Sequence, residues 1–148
     1  MLFRSLHIAR NNLVPVSQEI ELIRNYLEIQ KLRMGNRLNY QIDMPHSLLA
    51  KSIPPLLIQP LVENSIKHGL EPLVEGGSVS ITGEMDGDLV RITVADSGRG
   101  ISESTSSGNG VGLENVRKRI RMSSNALGRL VLEENSPCGI RAVIEAPL

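Results

Sequence analysis

Leu61-Val62-Glu63-Asn64-Ser65-Ile66-Lys67-His68-Gly69 is the stretch on which the reading of this chain turns. Asp96-Ser97-Gly98-Arg99-Gly100 comes next, and then Gly108-Asn109-Gly110-Val111-Gly112-Leu113, running into Glu114-Asn115-Val116-Arg117. A polar helix face, an Asp-x-Gly-x-Gly turn and a Gly-rich helix start are each common alone. In this order they describe a nucleotide site.

On a helix, residues three and four apart are neighbours, so Asn64, Lys67 and His68 share a face while Leu61, Val62 and Ile66 can meet a sheet. An Asn carbonyl oxygen is a hard ligand suited to Mg²⁺, and a lysine ammonium is a point charge for phosphate. An ordinary solvated helix face would look the same. Asp96 ends the apolar run Leu89-Val90-Arg91-Ile92-Thr93-Val94, where its carboxylate can accept a hydrogen bond from the amino group of adenine; guanine offers a carbonyl there instead. Gly98 and Gly100 permit close backbone approach, as a plain Asp-Gly turn also would. Gly108, Gly110 and Gly112 precede a helix whose free N–H groups suit phosphate, the alternative being a flexible loop. The spacing is not that of a P-loop, which needs Gly-Lys-Ser or Gly-Lys-Thr. It is not the dinucleotide fingerprint either, because Leu113 stands where the last glycine would fall.

Around these motifs the chain divides at residue 35. Residues 1–35 read as a helical segment. Ser17 is the expected cap and Glu19 a first-turn acid favoured by the helix dipole. Ile20, Ile23, Leu27 and Met34 form an apolar stripe that Leu22, Tyr26 and Ile29 broaden, and Gly35 is the expected stop. So wide a stripe needs a partner, either the rest of this domain or a dimerisation bundle. In residues 36–148, Leu38, Tyr40 and Ile42 alternate as a half-buried strand does. Pro54-Pro55 is expected to open a helix running to His68, with Pro60 kinking it or delaying its regular start and Gly69 ending it. His46, after Pro45, falls in an expected loop. Val79–Glu84 and Leu89–Ala95 read as a hairpin around Met85-Asp86-Gly87-Asp88. Val111 to Ser123 reads as a second helix, and Arg129–Glu133 with Ile140–Glu145 as a closing strand pair. This irregular alternation predicts an α+β fold: a two-layer sandwich whose mixed, mostly antiparallel sheet is covered on one face by helices. The polar stretch from Ser102 to Asn109 is expected to be mobile.

A chain of 148 residues, 41% of them hydrophobic, can bury a core, and with only Phe3, Tyr26 and Tyr40 as aromatics that core must be aliphatic. Sixteen basic and sixteen acidic residues cancel, which gives no support for a nucleic-acid partner. No apolar run approaches the ~20 residues of a membrane span, and Met1-Leu2-Phe3-Arg4 does not open a signal peptide. The single cysteine, Cys138, allows no intrachain disulfide and no cysteine-cluster zinc site, which fits a reducing compartment.

The three motifs resemble those of the ATP-binding catalytic domain of bacterial sensor histidine kinases, within the gyrase, heat-shock chaperone, histidine kinase and MutL superfamily. The resemblance is to the LytS-like branch. It extends to Ile53-Pro54-Pro55-Leu56-Leu57-Ile58-Gln59-Pro60 and to Tyr26-Leu27-Glu28-Ile29-Gln30-Lys31, and covers the chain from about residue 17 onward. It implies a Bergerat-type ATP-binding fold. Asn64 matches the magnesium-binding residue of the asparagine box, Lys67 and His68 its phosphate-side contacts, and Asp96 the adenine-reading residue. Gly98, Gly100, Gly110, Gly112 and Leu113 line the nucleotide, and residues 102–109 resemble a short ATP lid. ATP and Mg²⁺ are the implied cofactors. Implied partners are an acceptor histidine region of the same receptor, a response regulator and a second copy in a homodimer. The implied setting is the cytoplasmic part of a receptor anchored in the bacterial cell membrane.

Three departures qualify the resemblance. None of His7, His46 and His68 lies in a family acceptor motif, so the chain is expected to be the C-terminal part of a longer receptor. Pro60 occupies the place of the glutamate that activates water in superfamily ATPases, which argues against a gyrase-like or MutL-like ATPase; Glu63, beside Asn64, is a candidate to polarise an acceptor imidazole or a water. Gly139-Ile140 replaces a common Gly-Thr that helps to bind adenine. An anti-sigma-factor type serine kinase and a degenerate interaction module remain alternatives.

Overall fold

The computed structural model describes residues 13–100, 110–123 and 128–147, so His7 and the 102–109 lid segment lie outside it. The elements are β1 (Val14–Pro15), α1 (Val16–Met34), β2 (Leu38–Asp43), α2 (His46–Leu49), β3 (Ser52–Ile53), α3 (Gln59–Asn64), β4 (Gly77–Asp86), β5 (Leu89–Asp96), α4 (Gly110–Ser123), β6 (Arg129–Glu134) and β7 (Ile140–Ala146). A 3₁₀ turn, Gly35–Arg37, follows α1, and α3 continues as a π-helix through Ser65–Leu70.

The main sheet runs β2-β4-β5-β7-β6. Only the β2–β4 pair is parallel; the other three are antiparallel, as the sequence predicts for a mixed sheet. Between β4 and β5 the loop is Gly87-Asp88, with Gly87 at φ 63, the torsion a tight hairpin loop demands. Alternation along the strands sends Val79, Ile81, Val90, Ile92, Val94, Ala142 and Ile144 into the core. There they meet Ile20, Ile23 and Leu27 of α1, Leu61 and Val62 of α3, Ile66 beyond it, and Val116 and Ile120 of α4 in one aliphatic cluster. The chain thus has the expected α+β sandwich, helices against one sheet face. The other face carries a cross-strand ladder in which Arg91 pairs with Glu84 at 2.6 Å and with Glu145 at 2.8 Å, and Arg129 reaches Glu145 at 2.7 Å.

Several local expectations change. α1 starts at Val16 behind Pro15 with no side-chain cap, so Ser17 lies inside the helix. The helix buries Val16, Ile20, Ile23, Leu27 and Met34 in the core, whereas Leu22 and Ile29 are exposed and Tyr26 half-buried, a stripe narrower than expected. Gly35 ends it at φ 61, its N–H donating to the Lys31 carbonyl, as predicted. His46 begins a one-turn helix rather than lying in a loop. Pro54 and Pro55 precede α3 without opening it; regular helix begins at Gln59, so Pro60 delays the start and fits the first turn, where its missing N–H costs nothing. Gly69 does not stop the helix, which winds on to Leu70.

Candidate nucleotide site

Asp96 ends β5 on the inward side of the sheet, continuing the row Val90, Ile92 and Val94, and its side chain is 3% exposed. An apolar residue would be the ordinary occupant of that place. Burial pushes its pKa above the usual carboxylate range, opposed by hydrogen bonds from the Gly98 N–H, the Ser65 hydroxyl and the Ile140 N–H. The two backbone bonds, 2.9 Å from Gly98 and 3.2 Å from Ile140, both fall on Oδ1. Among the described residues no backbone N–H is paired with Oδ2.

The extension of α3 comes directly against this carboxylate. Ser65 is buried and donates to it, and a Cβ at Gly69 would lie 3.2 Å from both carboxylate oxygens. Gly98 is pressed on the same turn, where a Cβ would stand 2.4 Å from the Gly69 carbonyl oxygen. Arg99 completes the contact: its N–H donates to the Gly69 carbonyl at 3.2 Å and its Nε to the His68 carbonyl at 2.8 Å. The glycine read as a helix stop therefore serves close approach between the first two motifs. Gly100 sits at φ 98, and among the described residues nothing lies within 4 Å of where its Cβ would be.

From Ser65 the helix is π-wound, shown by the Glu71 N–H donating to the Ile66 carbonyl five residues back. The winding departs from 3.6 residues per turn there, yet Asn64, Lys67 and His68 all stay out of the core while Ser65, Ile66, Gly69 and Leu70 are buried. Lys67 is exposed and its Nζ lies 3.9 Å from Glu63, while Glu63, Asn64 and His68 are half-buried. No hydrogen bond holds the Asn64 amide among the described residues, so its oxygen is free to act as a metal ligand. No cluster of three or more His, Cys, Asp or Glu suited to a metal occurs among them. The Asn64 oxygen is a hard donor of the kind that Mg²⁺ takes beside phosphate and water. α4 begins at Gly110, so Gly110, Gly112 and Leu113 occupy its first turn, with Leu113 packed against the core. α4 lies against α3 and β6.

Sequence reasoning missed two buried polar residues that shape the site. Ser65 reads as a helix filler but holds Asp96. Glu19 is 2% exposed, and its carboxylate accepts N–H groups from Leu57 at 3.3 Å, from Ile58, and from Gln59 at 3.2 Å. It lies in the first turn of its own helix, as predicted, and also caps the start of α3. The signal was available, since Glu19 sits beside the stripe of Val16, Ile20 and Ile23, where an acid needs a buried partner. Tyr26, from the same helix, has a buried hydroxyl with no partner among the described residues. Burial and the carboxylates of Glu63 and Glu71 push its pKa up to about 12.

Residues 54–148 match a family model described as histidine kinase-, DNA gyrase B-, and HSP90-like ATPase, and residues 1–38 match one described as histidine kinase. Sensor histidine kinase YesM of Bacillus subtilis is 34% identical over 99% of this chain, which covers 26% of that protein. Sensor protein LytS of Enterococcus faecalis is 29% identical over 91% of the chain and 25% of its own length. The chain thus spans about a quarter of the length of these curated relatives. The solved catalytic domain of histidine kinase ThkA aligns with a TM-score of 0.71 at 21% identity, over 91% of this chain and 93% of that one, a likeness of fold.

Proposed function

The chain belongs to the histidine kinase-, DNA gyrase B- and HSP90-like ATPase family, and from that premise we propose that it is the catalytic part of a two-component sensor kinase that moves the γ-phosphate of ATP to a histidine outside the chain. The observation that carries this reading is the junction of Asp96 with Ser65 and Gly69, which sets a buried carboxylate beside the helix of Asn64. Asp96 Oδ2 accepts the amino group of adenine while Oδ1 stays on its two N–H donors. The N–H groups of Gly110 and Gly112, at the positive end of α4, receive phosphate, and Lys67 adds a mobile positive charge. Asn64 holds Mg²⁺, which supplies positive charge against the phosphates. Glu63 holds a proton near the acceptor in this reading, and for that Lys67 must leave its ion pair with it. His68, Gly98, Gly100 and Leu113 shape the walls.

Catalysis of this kind is positioning and charge neutralisation, not covalent chemistry by the protein. The whole protein then passes the phosphate to a response regulator and works as a membrane-anchored homodimer. Residues 1–35 belong to its dimerisation and acceptor region and residues 36–148 to the catalytic domain, with α1 packed on the catalytic core. No helix among the described residues is long and apolar enough to cross a membrane, so the anchor is placed outside them.

Titration with a non-hydrolysable ATP analogue, with and without Mg²⁺, tests the reading. Saturable binding that tightens with Mg²⁺ is expected. Labelled ATP should then leave an acid-labile label on a supplied acceptor-histidine segment and not on this chain alone. Absence of nucleotide binding, or a strong acid-labile label on the chain by itself, contradicts the assignment.

A further inference from the structure

The segment that leads into α3 is gripped from two sides. From α1, the two oxygens of Glu19 accept the N–H groups of Leu57, Ile58 and Gln59. From α4, Arg119 Nη1 donates to the carbonyl of Pro55 at 2.6 Å and approaches that of Leu56 at 3.5 Å. Leu56, between the two grips, sits at φ 60, a left-handed torsion rare outside glycine, with its side chain 46% exposed. An exposed side chain gives that torsion no packing reason, so the bonds on either side must hold it.

The match between donors and acceptors is close. A helix start leaves its first N–H groups without partners. Pro60 removes one of them, Leu61 and Val62 turn theirs to the Ile58 carbonyl at 3.0 and 3.3 Å, and Glu19 takes the rest. A carboxylate from another helix does the work that an N-cap side chain of α3 would do. Asn64 ends α3, so its pose depends on how α3 is seated.

We propose that Glu19 is a positioning residue for nucleotide binding and phosphotransfer: it seats the start of α3 on α1 and so sets the place of Asn64. This rests on the reading of Asn64 as the magnesium-side residue. Burial of Glu19 raises its pKa and the N–H bonds oppose that, as expected of a carboxylate held for its geometry.

The test is Glu19→Gln in the 148-residue chain, with Glu19→Asp as the second variant should the first not fold. Gln keeps the volume but offers one acceptor oxygen and turns an NH₂ toward N–H donors. Two readouts are compared. In the first, affinity for ADP without Mg²⁺ is expected to stay as in the unsubstituted chain, while the gain in affinity for the ATP analogue on adding Mg²⁺ falls about 10-fold, the lower end for a lost supporting contact. In the second, amide hydrogen exchange without nucleotide is expected to quicken from Leu61 to Asn64 and to stay unchanged in β5 and β7. Unchanged exchange in α3 overturns the proposal. So does exchange quickened equally throughout the sheet, or an equal loss of both affinities, since either marks general destabilisation. If the unsubstituted chain binds no nucleotide, the functional reading fails, and the exchange pattern still decides whether Glu19 seats α3.

Discussion

Gly139 lies so close over Asp96 that a Cβ at residue 139 would stand 1.8 Å from the Asp96 carbonyl oxygen and 2.8 Å from Oδ1. The same carbonyl accepts Asn135 Nδ2 at 2.8 Å, and the N–H of Ile140 reaches Oδ1 at 3.2 Å. The start of β7 therefore wraps Asp96 with backbone. At Gly139-Ile140 the tie to Asp96 is the main-chain N–H of Ile140.

Gly139→Ala should accordingly damage both fold and site. The added methyl meets backbone that cannot yield, and φ 98 is strained for any side chain. A loss of about 1–3 kcal/mol is expected from overpacking, read by denaturant or thermal unfolding. A melting point equal to that of the unsubstituted chain would mean that the β7 start moves freely off Asp96.

Asp96 should decide the base. ATP is expected to bind at least ~10-fold better than GTP, about the 1.4 kcal/mol of one mismatched polar contact. Asp96→Asn should weaken ATP binding sharply, because an amide sets a donor as well as an acceptor beside the adenine amino group. Competition titrations with both nucleotides decide this, and equal affinities would remove the adenine assignment.

Asn64 should decide the metal dependence. Asn64→Ala removes an oxygen that no other residue occupies among those described, and leaves Asp96 and its three donors in place. The Mg²⁺-dependent part of ATP affinity is expected to fall about 10-fold, with Mg²⁺-free ADP binding little changed. If the magnesium dependence survives, the metal is held elsewhere.

Glu145 should shape the acid limb of stability. Arg91 and Arg129 flank it across the open sheet face and hold its pKa below the ordinary value of 4.5. A carboxylate depressed in the folded state stabilises above its unfolded pKa, and that contribution is lost as pH falls through the folded one. Glu145→Gln should therefore be less stable than the unsubstituted chain near neutral pH, with the gap closing as pH falls through the carboxylate range. Unfolding curves across that range are the check; a constant gap would assign the loss to packing.

Local pattern alone was enough for much of this protein. The alternation in Leu89–Ala95, the Gly87-Asp88 loop and the stripe of Ile20, Ile23 and Leu27 identify strands, hairpin and helix, because side-chain periodicity and turn torsions are properties of neighbouring residues. The three motifs are legible for the same reason: each is a short signal readable in place. Four features needed the folded chain. The parallel pairing of β2 with β4 joins segments far apart in sequence. The π-winding of Ser65–Leu70 puts Gly69 and Ser65 on Asp96, a contact that regular 3.6-residue spacing does not announce. The burial of Asp96 depends on Gly98 and Ile140 arriving from different directions. Glu19 finds its donors at Leu57, Ile58 and Gln59 only when α1 and α3 pack together. A buried charge announces in sequence that it needs partners, but which N–H groups supply them is decided by long-range packing.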